Sequence, residues 1–243
     1  MSNVHKTESY FNEEYAESVD MYSSSFRVSE IERFRVTLDL IKRHCNPKGS
    51  GLDIGCGPGN FTIQIKNFIQ HLIGTDISSV VIEKAVETYK NDGLRFEVCG
   101  LPATNFDNEE FDFVSAIEII YYLNDDDRQK AIEDIARILK PNGIFVFSGI
   151  ISDAYFSFKE LKAYSDYGFE LLEEHQSYRK PFNRLESFLQ KIQKHIFKNS
   201  KLTKGILEFP SKSWTIMNLS DFLSRTLLGK FGVHRVIRVY RRK

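Results

Sequence analysis

The chain has 243 residues, 42% hydrophobic and 27% charged, with 33 Lys and Arg against 33 Asp and Glu. That length suffices for one large domain with an added subdomain, and the composition excludes a disordered or collagen-like chain. Three scattered cysteines, Cys45, Cys56 and Cys99, fit no disulfide framework. Together with a polar, acidic start that lacks a signal-peptide core and the absence of any ~20-residue apolar run, they lead us to expect a soluble, cytoplasmic protein.

The zero net charge hides an asymmetry. Residues 1–177 carry 17 Lys and Arg against 30 acids, whereas residues 178–243 carry 16 against 3. In chain order, Phe11, Tyr15, Val19, Tyr22 and Phe26 recur at helical spacing, which reads as a lid helix in a region over 1–30, with plain core packing as the equal alternative. A helix over 29–44 follows. Residues 31–177 then alternate short apolar runs with helical patterns, strands at 51–54, 71–76, 94–98, 111–117, 143–150 and 169–175 and helices at 60–70, 78–92, 126–140 and 156–167. Strands that are apolar throughout, separated by helices, indicate a parallel sheet covered on both faces. The alternation breaks at residues 178–232, an insertion with amphipathic patterns at 182–198 and 217–228, before a final strand at 233–240 within a closing segment 233–243. The expected architecture is therefore a doubly wound α/β fold with a helical N-terminal lid and a basic helical insertion before the last strand.

Between the first strand and the next helix stands "LDIGCGPGN", residues 52–60, with Gly55, Gly57 and Gly59 at alternate positions. A glycine-rich turn at the carboxyl end of the first strand of such a sheet is where nucleotide-type cofactors bind. The spacing is GxGxG, with Asn60 where a dinucleotide fingerprint places its third glycine, and no Lys-Ser or Lys-Thr follows as a P-loop requires.

With "GTDIS" 19 residues further on, "FDFVSAIEIIYYL" and "IARILKPNGIFVFSG", the stretch from about 33 to 150 resembles the class I S-adenosylmethionine-dependent methyltransferases. The resemblance implies a seven-stranded, mostly parallel sheet whose last strand is antiparallel. It also implies S-adenosylmethionine as cofactor, with S-adenosylhomocysteine as product. It places Gly55, Cys56 and Gly57 against the methionine and ribose parts, with Asp53 toward the cofactor's amino group. Asp76, followed by Ile77, would hold the ribose diol, its alternative being a helix N-cap. Gly100 and Leu101 would lie along the adenine, where the family's usual acid is missing. Glu118 would lie near the methionine part. Arg35 is placed to pair with the cofactor's carboxylate, with Arg33 as competitor and a solvated surface role as the alternative.

The "EIIYYL" that follows the fourth strand should face the transferred methyl, so Tyr121 and Tyr122 are the catalytic candidates, one of them with packing as its alternative. Tyrosine orients an acceptor and offers a cation-stabilising face, but is a poor base at neutral pH. No metal-ligand spacing occurs among the histidines and cysteines, so no metal is expected. The expected acceptor is a small-molecule or glycan-type compound methylated on O or N, anionic if the basic insertion faces it. Nucleic acid is disfavoured because no Asn-Pro-Pro-Tyr or Asp-Pro-Pro-Tyr follows the fourth strand. A membrane surface is a further partner that the basic insertion could meet. The rival readings are a non-catalytic cofactor-binding module and a methyltransferase acting on RNA or a lipid headgroup.

Overall fold

The structure, a computed structural model, describes residues 8–17, 27–46, 48–89, 93–151, 163–178 and 212–243. Seven strands are joined in one sheet: β1 (Ser50–Ile54), β2 (His71–Asp76), β3 (Leu94–Val98), β4 (Phe111–Ile117), β5 (Leu139–Ile150), β6 (Phe169–Ser177) and β7 (Arg235–Arg242). Their order is β3-β2-β1-β4-β5-β7-β6. β1 to β5 pair in parallel, and β7 runs antiparallel between β5 and β6. This is the doubly wound sheet with an antiparallel last strand expected from the sequence.

Alternating side chains on the strands feed two cores. On one face Val114, Ala116, Phe145, Phe147 and Tyr240 meet Ile132, Ile135 and Ile138 of α5 (Asp125–Ile138). On the other, Phe113, Val146, Ile237 and Val239 meet Leu40 and Ile41 of α2 (Val28–His44) and Ile65 of α3 (Thr62–Ile65). Helices on both faces cover the inner strands, which is why those runs read as continuously hydrophobic, whereas Val98 and Leu171 on the edge strands β3 and β6 are exposed.

Three expectations shift on contact with the structure. The helix expected over 60–70 is only α3, because beyond Ile65 the N–H groups of Asn67 and Phe68 bond three residues back, to Gln64 and Ile65. That tightens the chain into turns rather than a further helical turn. The helix expected to end at Lys140 stops at Ile138, and Leu139 already pairs with Phe111 of β4. Within 156–167, the described part, Ala163–Tyr167, is a 3₁₀ turn.

The remaining helices are α1 (Glu8–Glu17), α4 (Ser79–Thr88) and α6 (Trp214–Leu228). α1 sits on α4, where Ser78 Oγ donates to Asn12 Oδ1 at 2.6 Å and Lys84 Nζ to the Tyr15 carbonyl at 2.8 Å. The expected apolar positions Val19, Tyr22 and Phe26, and the basic helix over 182–198, lie outside the described residues. Among the described residues, no helix is long and apolar enough to cross a membrane.

Candidate cofactor site at the glycine turn

The turn after β1 is held against β2, with the N–H groups of Gly55 and Cys56 both donating to Thr75 O, at 2.7 and 2.8 Å. All three glycines have positive φ, +73°, +53° and +82°, a region that costs a side chain strain and glycine little. Each also faces a different neighbour. A Cβ at Gly55 would stand 2.3 Å from Ile119 Cγ2, and one at Gly57 would stand 3.1 Å from the Tyr15 hydroxyl. Gly55 thus admits the segment after β4, and the turn's open side at Gly57 is faced by α1.

Asp76 ends β2 directly beneath this turn. Its Oδ2 accepts the Gly57 N–H at 3.0 Å and its Oδ1 the Ser78 N–H at 3.0 Å. The N-cap of α4 is Ser78, whose hydroxyl accepts from Val81 N. Capping is therefore not what Asp76 is for, and each of its oxygens keeps lone-pair capacity for a further donor. Burial raises its carboxyl pKa, against the backbone donors of Ser78 and Gly57.

Asp53 lies deeper, 2% exposed. Thr62 Oγ1 donates to one of its oxygens at 2.7 Å and Ser115 Oγ to the other at 2.6 Å. It props the turn by tying β1 to α3 and β4. Burial pushes its pKa from 3.8 up to about 6, against the two hydroxyl donors. Cys56 is buried beside both carboxylates, and burial first, then Asp76 and Asp53, hold its thiol protonated. Ile77 and Gly100 adjoin one another, a Cβ on Gly100 meeting Ile77 Cβ at 3.4 Å. Leu101 packs partly into the first core.

Of the two arginines weighed for the carboxylate end, Arg33 bears on Asp53. Arg35 is exposed, and its charge bears instead on His175 of β6. Arg35 thus stands in solvent, whereas Arg33 is largely buried and paired with Glu30 at 2.6 Å.

At the end of β4, Glu118 takes φ +61°, uncommon for a residue with a side chain. Its N–H donates to Ser148 O at 3.0 Å, and its Oε1 accepts from Ser148 Oγ. Tyr121 and Tyr122 follow in a 3₁₀ turn (Ile120–Tyr122), with ring centroids 4.6 Å apart. They differ in burial, though both touch the first core. Tyr121, 8% exposed, is packed into the first core. Tyr122 meets Phe11 of α1 edge-on at 5.4 Å, and Phe11 stacks with Tyr15. Phe11, Tyr15 and Tyr122 thus form one aromatic cluster joining α1 to the segment after β4.

Tyr15 faces the glycine turn, within the stripe that the sequence reading gave to a lid helix or to core packing. It is 5% exposed, and burial first, then Asp76, raises its phenol pKa. Glu30 and Arg235 were missed. The one signal for Arg235 was a charged residue inside the apolar strand pattern "RVIRVY".

Residues 52–143 match the family described as "Methyltransferase domain". The O-methyltransferase rstn1 of Aspergillus nomiae is 30% identical over 131 residues, covering 51% of this chain and 57% of that protein. The chain spans about half the length of the curated relatives it matches. In fold it is similar to the N-methyltransferase NodS of Bradyrhizobium japonicum in complex with S-adenosylhomocysteine, at TM-score 0.64, 17% identity and 99% coverage of both chains. It is also similar to the [4+2]-cyclase SpnF, at TM-score 0.68, 16% identity and 98% and 97% coverage. Over residues 52–143 the chain is therefore similar to a methyltransferase domain, and in overall fold to the structures just named.

Proposed function

We infer that this chain is an S-adenosylmethionine-dependent methyltransferase acting on O or N of a small-molecule acceptor, anionic or glycan-type in character. One observation carries the reading. The Gly57 N–H is bonded to Asp76 Oδ2, so the open face of the glycine turn and a buried carboxylate with spare lone pairs point into one cradle. A 2′,3′-diol fits that carboxylate, and an adenosine fits beside Ile77, Gly100 and Leu101.

The residues present fit the cofactor, which when bound supplies a methyl group activated on a sulfonium. The chain's part is positioning and exclusion of water. Gly55, Cys56 and Gly57 offer a turn with no side chain in the way of the methionine and ribose parts. Asp53 keeps that turn fixed from below. Tyr122, with Phe11 and Tyr15 across from it, encloses the reacting end and offers ring faces to positive charge. Tyr121 supports Tyr122 from the core. α1 closes the cradle through Asn12 and the Tyr15 carbonyl, the role of a lid.

Relatives named as O- and N-methyltransferases support the reaction class. A protein of this fold named as a cyclase is a reminder that the fold alone does not fix the chemistry. The anionic character of the acceptor rests on the 16 Lys and Arg against 3 acids over residues 178–243.

Two assays test this. Transfer of labelled methyl from S-adenosylmethionine, over a panel of sugars, amines, phenols and their phosphorylated forms, should find an acceptor. No transfer to any member, with cofactor binding intact, would favour the non-catalytic module. For the acceptor found, KM should rise several-fold from low to high salt, because steering by exposed charge is screened beyond ~8 Å at physiological ionic strength. A salt-independent KM would assign a neutral acceptor.

A further inference from the structure

The outer face of α6 is apolar and exposed. Met217 and Ser224 form its buried side, and Met217 meets Val28 of α2. The helix is also pinned along a polar flank. There Asp221 Oδ1 accepts the Tyr178 N–H at 3.0 Å, and Arg225 lies over the Tyr178 ring at 4.8 Å. On the side turned away, Leu219, Phe222, Leu223 and Leu227 recur at helical spacing and form one stripe. All of them are exposed, Phe222 by 63% and Leu227 by 74%. Single exposed leucines are ordinary, but a contiguous apolar stripe marks a contact.

The charge on either side of this helix is unequal. Residues 179–212, which lead directly into α6, carry nine Lys and Arg against two Glu. The arginines of β7 do not add to that excess, because the fold pairs them. Arg235 faces Glu30 and Glu118, Arg238 faces Glu174, Arg241 faces Glu170, and Arg242 faces Glu109. An apolar stripe and adjoining positive charge together hold a helix on an anionic lipid surface, where either alone is weak. A second copy of the chain would bring two cationic stretches together, and like charges oppose that. A nucleic acid would leave the stripe in water, since its own contacts are polar and charged.

We propose that α6 is a membrane-docking helix, its apolar stripe seated in the interface of an anionic bilayer and drawn there by the positive charge of the chain that precedes it. The sheet fixes which end of the molecule is involved. Arg235, which opens β7 shortly after α6, pairs with Ile150 at the end of β5 and with Ser177 at the end of β6. β5 runs parallel to β4, and β4 to β1. α6 is therefore tethered at the carboxyl ends of these strands, the end that carries the glycine turn. Nothing in this docking depends on the methyl-transfer chemistry proposed above.

Vesicle sedimentation tests this with no cofactor or acceptor present. Wild-type protein should bind vesicles of equal phosphatidylcholine and phosphatidylglycerol at least tenfold more tightly than vesicles of phosphatidylcholine alone. Phe222→Gln with Leu227→Gln keeps helix propensity and removes apolar surface. Binding should weaken at least tenfold, with the melting temperature in the absence of vesicles unchanged. Lys191→Glu with Lys194→Glu should likewise weaken binding to the mixed vesicles at least tenfold. To read the helix itself, Trp214→Phe with Phe222→Trp moves the chain's single tryptophan onto the stripe. Its emission should shift to the blue on the mixed vesicles. Equal binding to both vesicle types, binding without that shift, or no binding at all overturns the proposal. A lower melting temperature for the glutamine variant would assign the stripe to cover from within the chain. A wild-type dimer in light scattering that the same variant dissociates would assign it to a second copy. Either result overturns membrane docking as well.

Discussion

The two acidic side chains that bracket the site are held in opposite ways. Asp76 takes its donors from the backbone of its own neighbourhood, Ser78 two residues away and Gly57 nineteen away. Glu118 takes its partners from Ser148 on β5 and from Arg235 on the last strand, which itself leans on Glu30, 205 residues distant. The first arrangement is a local consequence of strand, glycine turn and strand. The second exists only once β7 has inserted beside β5. A short motif therefore announces one end of the site, and only tertiary structure creates the other.

The largest effect should come from the local end. Gly55→Val combines a positive φ with a Cβ 2.3 Å from Ile119 Cγ2, a strain of roughly 3–5 kcal/mol. The variant should show no measurable binding of S-adenosylhomocysteine, and a melting temperature lowered accordingly. Adding Ile119→Ala should recover part of the stability, because it removes the clash and leaves the strained φ. No recovery would mean that the turn is limited by its own backbone rather than by the segment after β4.

A middle-sized effect belongs to Asp53. Its pKa is raised from 3.8 to about 6, first by burial and then by Asp76. Between those pH values the folded state keeps a proton that the unfolded chain has released. This carboxyl therefore makes the fold lose stability as pH rises from about 4 to 6, by up to about 3 kcal/mol. Urea unfolding of wild type and Asp53→Asn across that range should show the wild-type stability falling relative to the variant. Parallel curves would mean that Thr62 and Ser115 fully offset the burial.

The smallest effect lies where the two ends meet. Tyr122→Phe keeps the ring against Phe11 and removes one hydroxyl, so kcat/KM should fall a few-fold with cofactor affinity unchanged. Tyr121→Phe should act through the core instead. Two silent variants would move the acceptor contact to α1.

What was legible in the sequence follows the same division. The strands and their parallel class were readable because apolar runs and helical periods are local, whereas the antiparallel last strand was implied only by the family resemblance. Asp76 was singled out because it closes a strand at fixed spacing from the glycines. Arg33 and Arg35 were indistinguishable, since a helix register of two residues separates a side chain buried against Glu30 from one in solvent. Tyr15 looked like any aromatic in an apolar stripe until α1 was seen docked on α4. Glu30 and Arg235 were hidden because no spacing rule links a helix near the start to the final strand.

Titration of S-adenosylhomocysteine into wild-type protein and into Asp76→Ala by calorimetry tests the central claim most directly. Asp76 is proposed as the acceptor for two hydroxyl donors, hydrogen bonds to a charged group worth roughly 1.5–3 kcal/mol each. The account predicts clear binding to the wild type and at least a tenfold weaker constant for the folded variant. Equal affinity in two folded proteins would contradict it and place the ribose elsewhere.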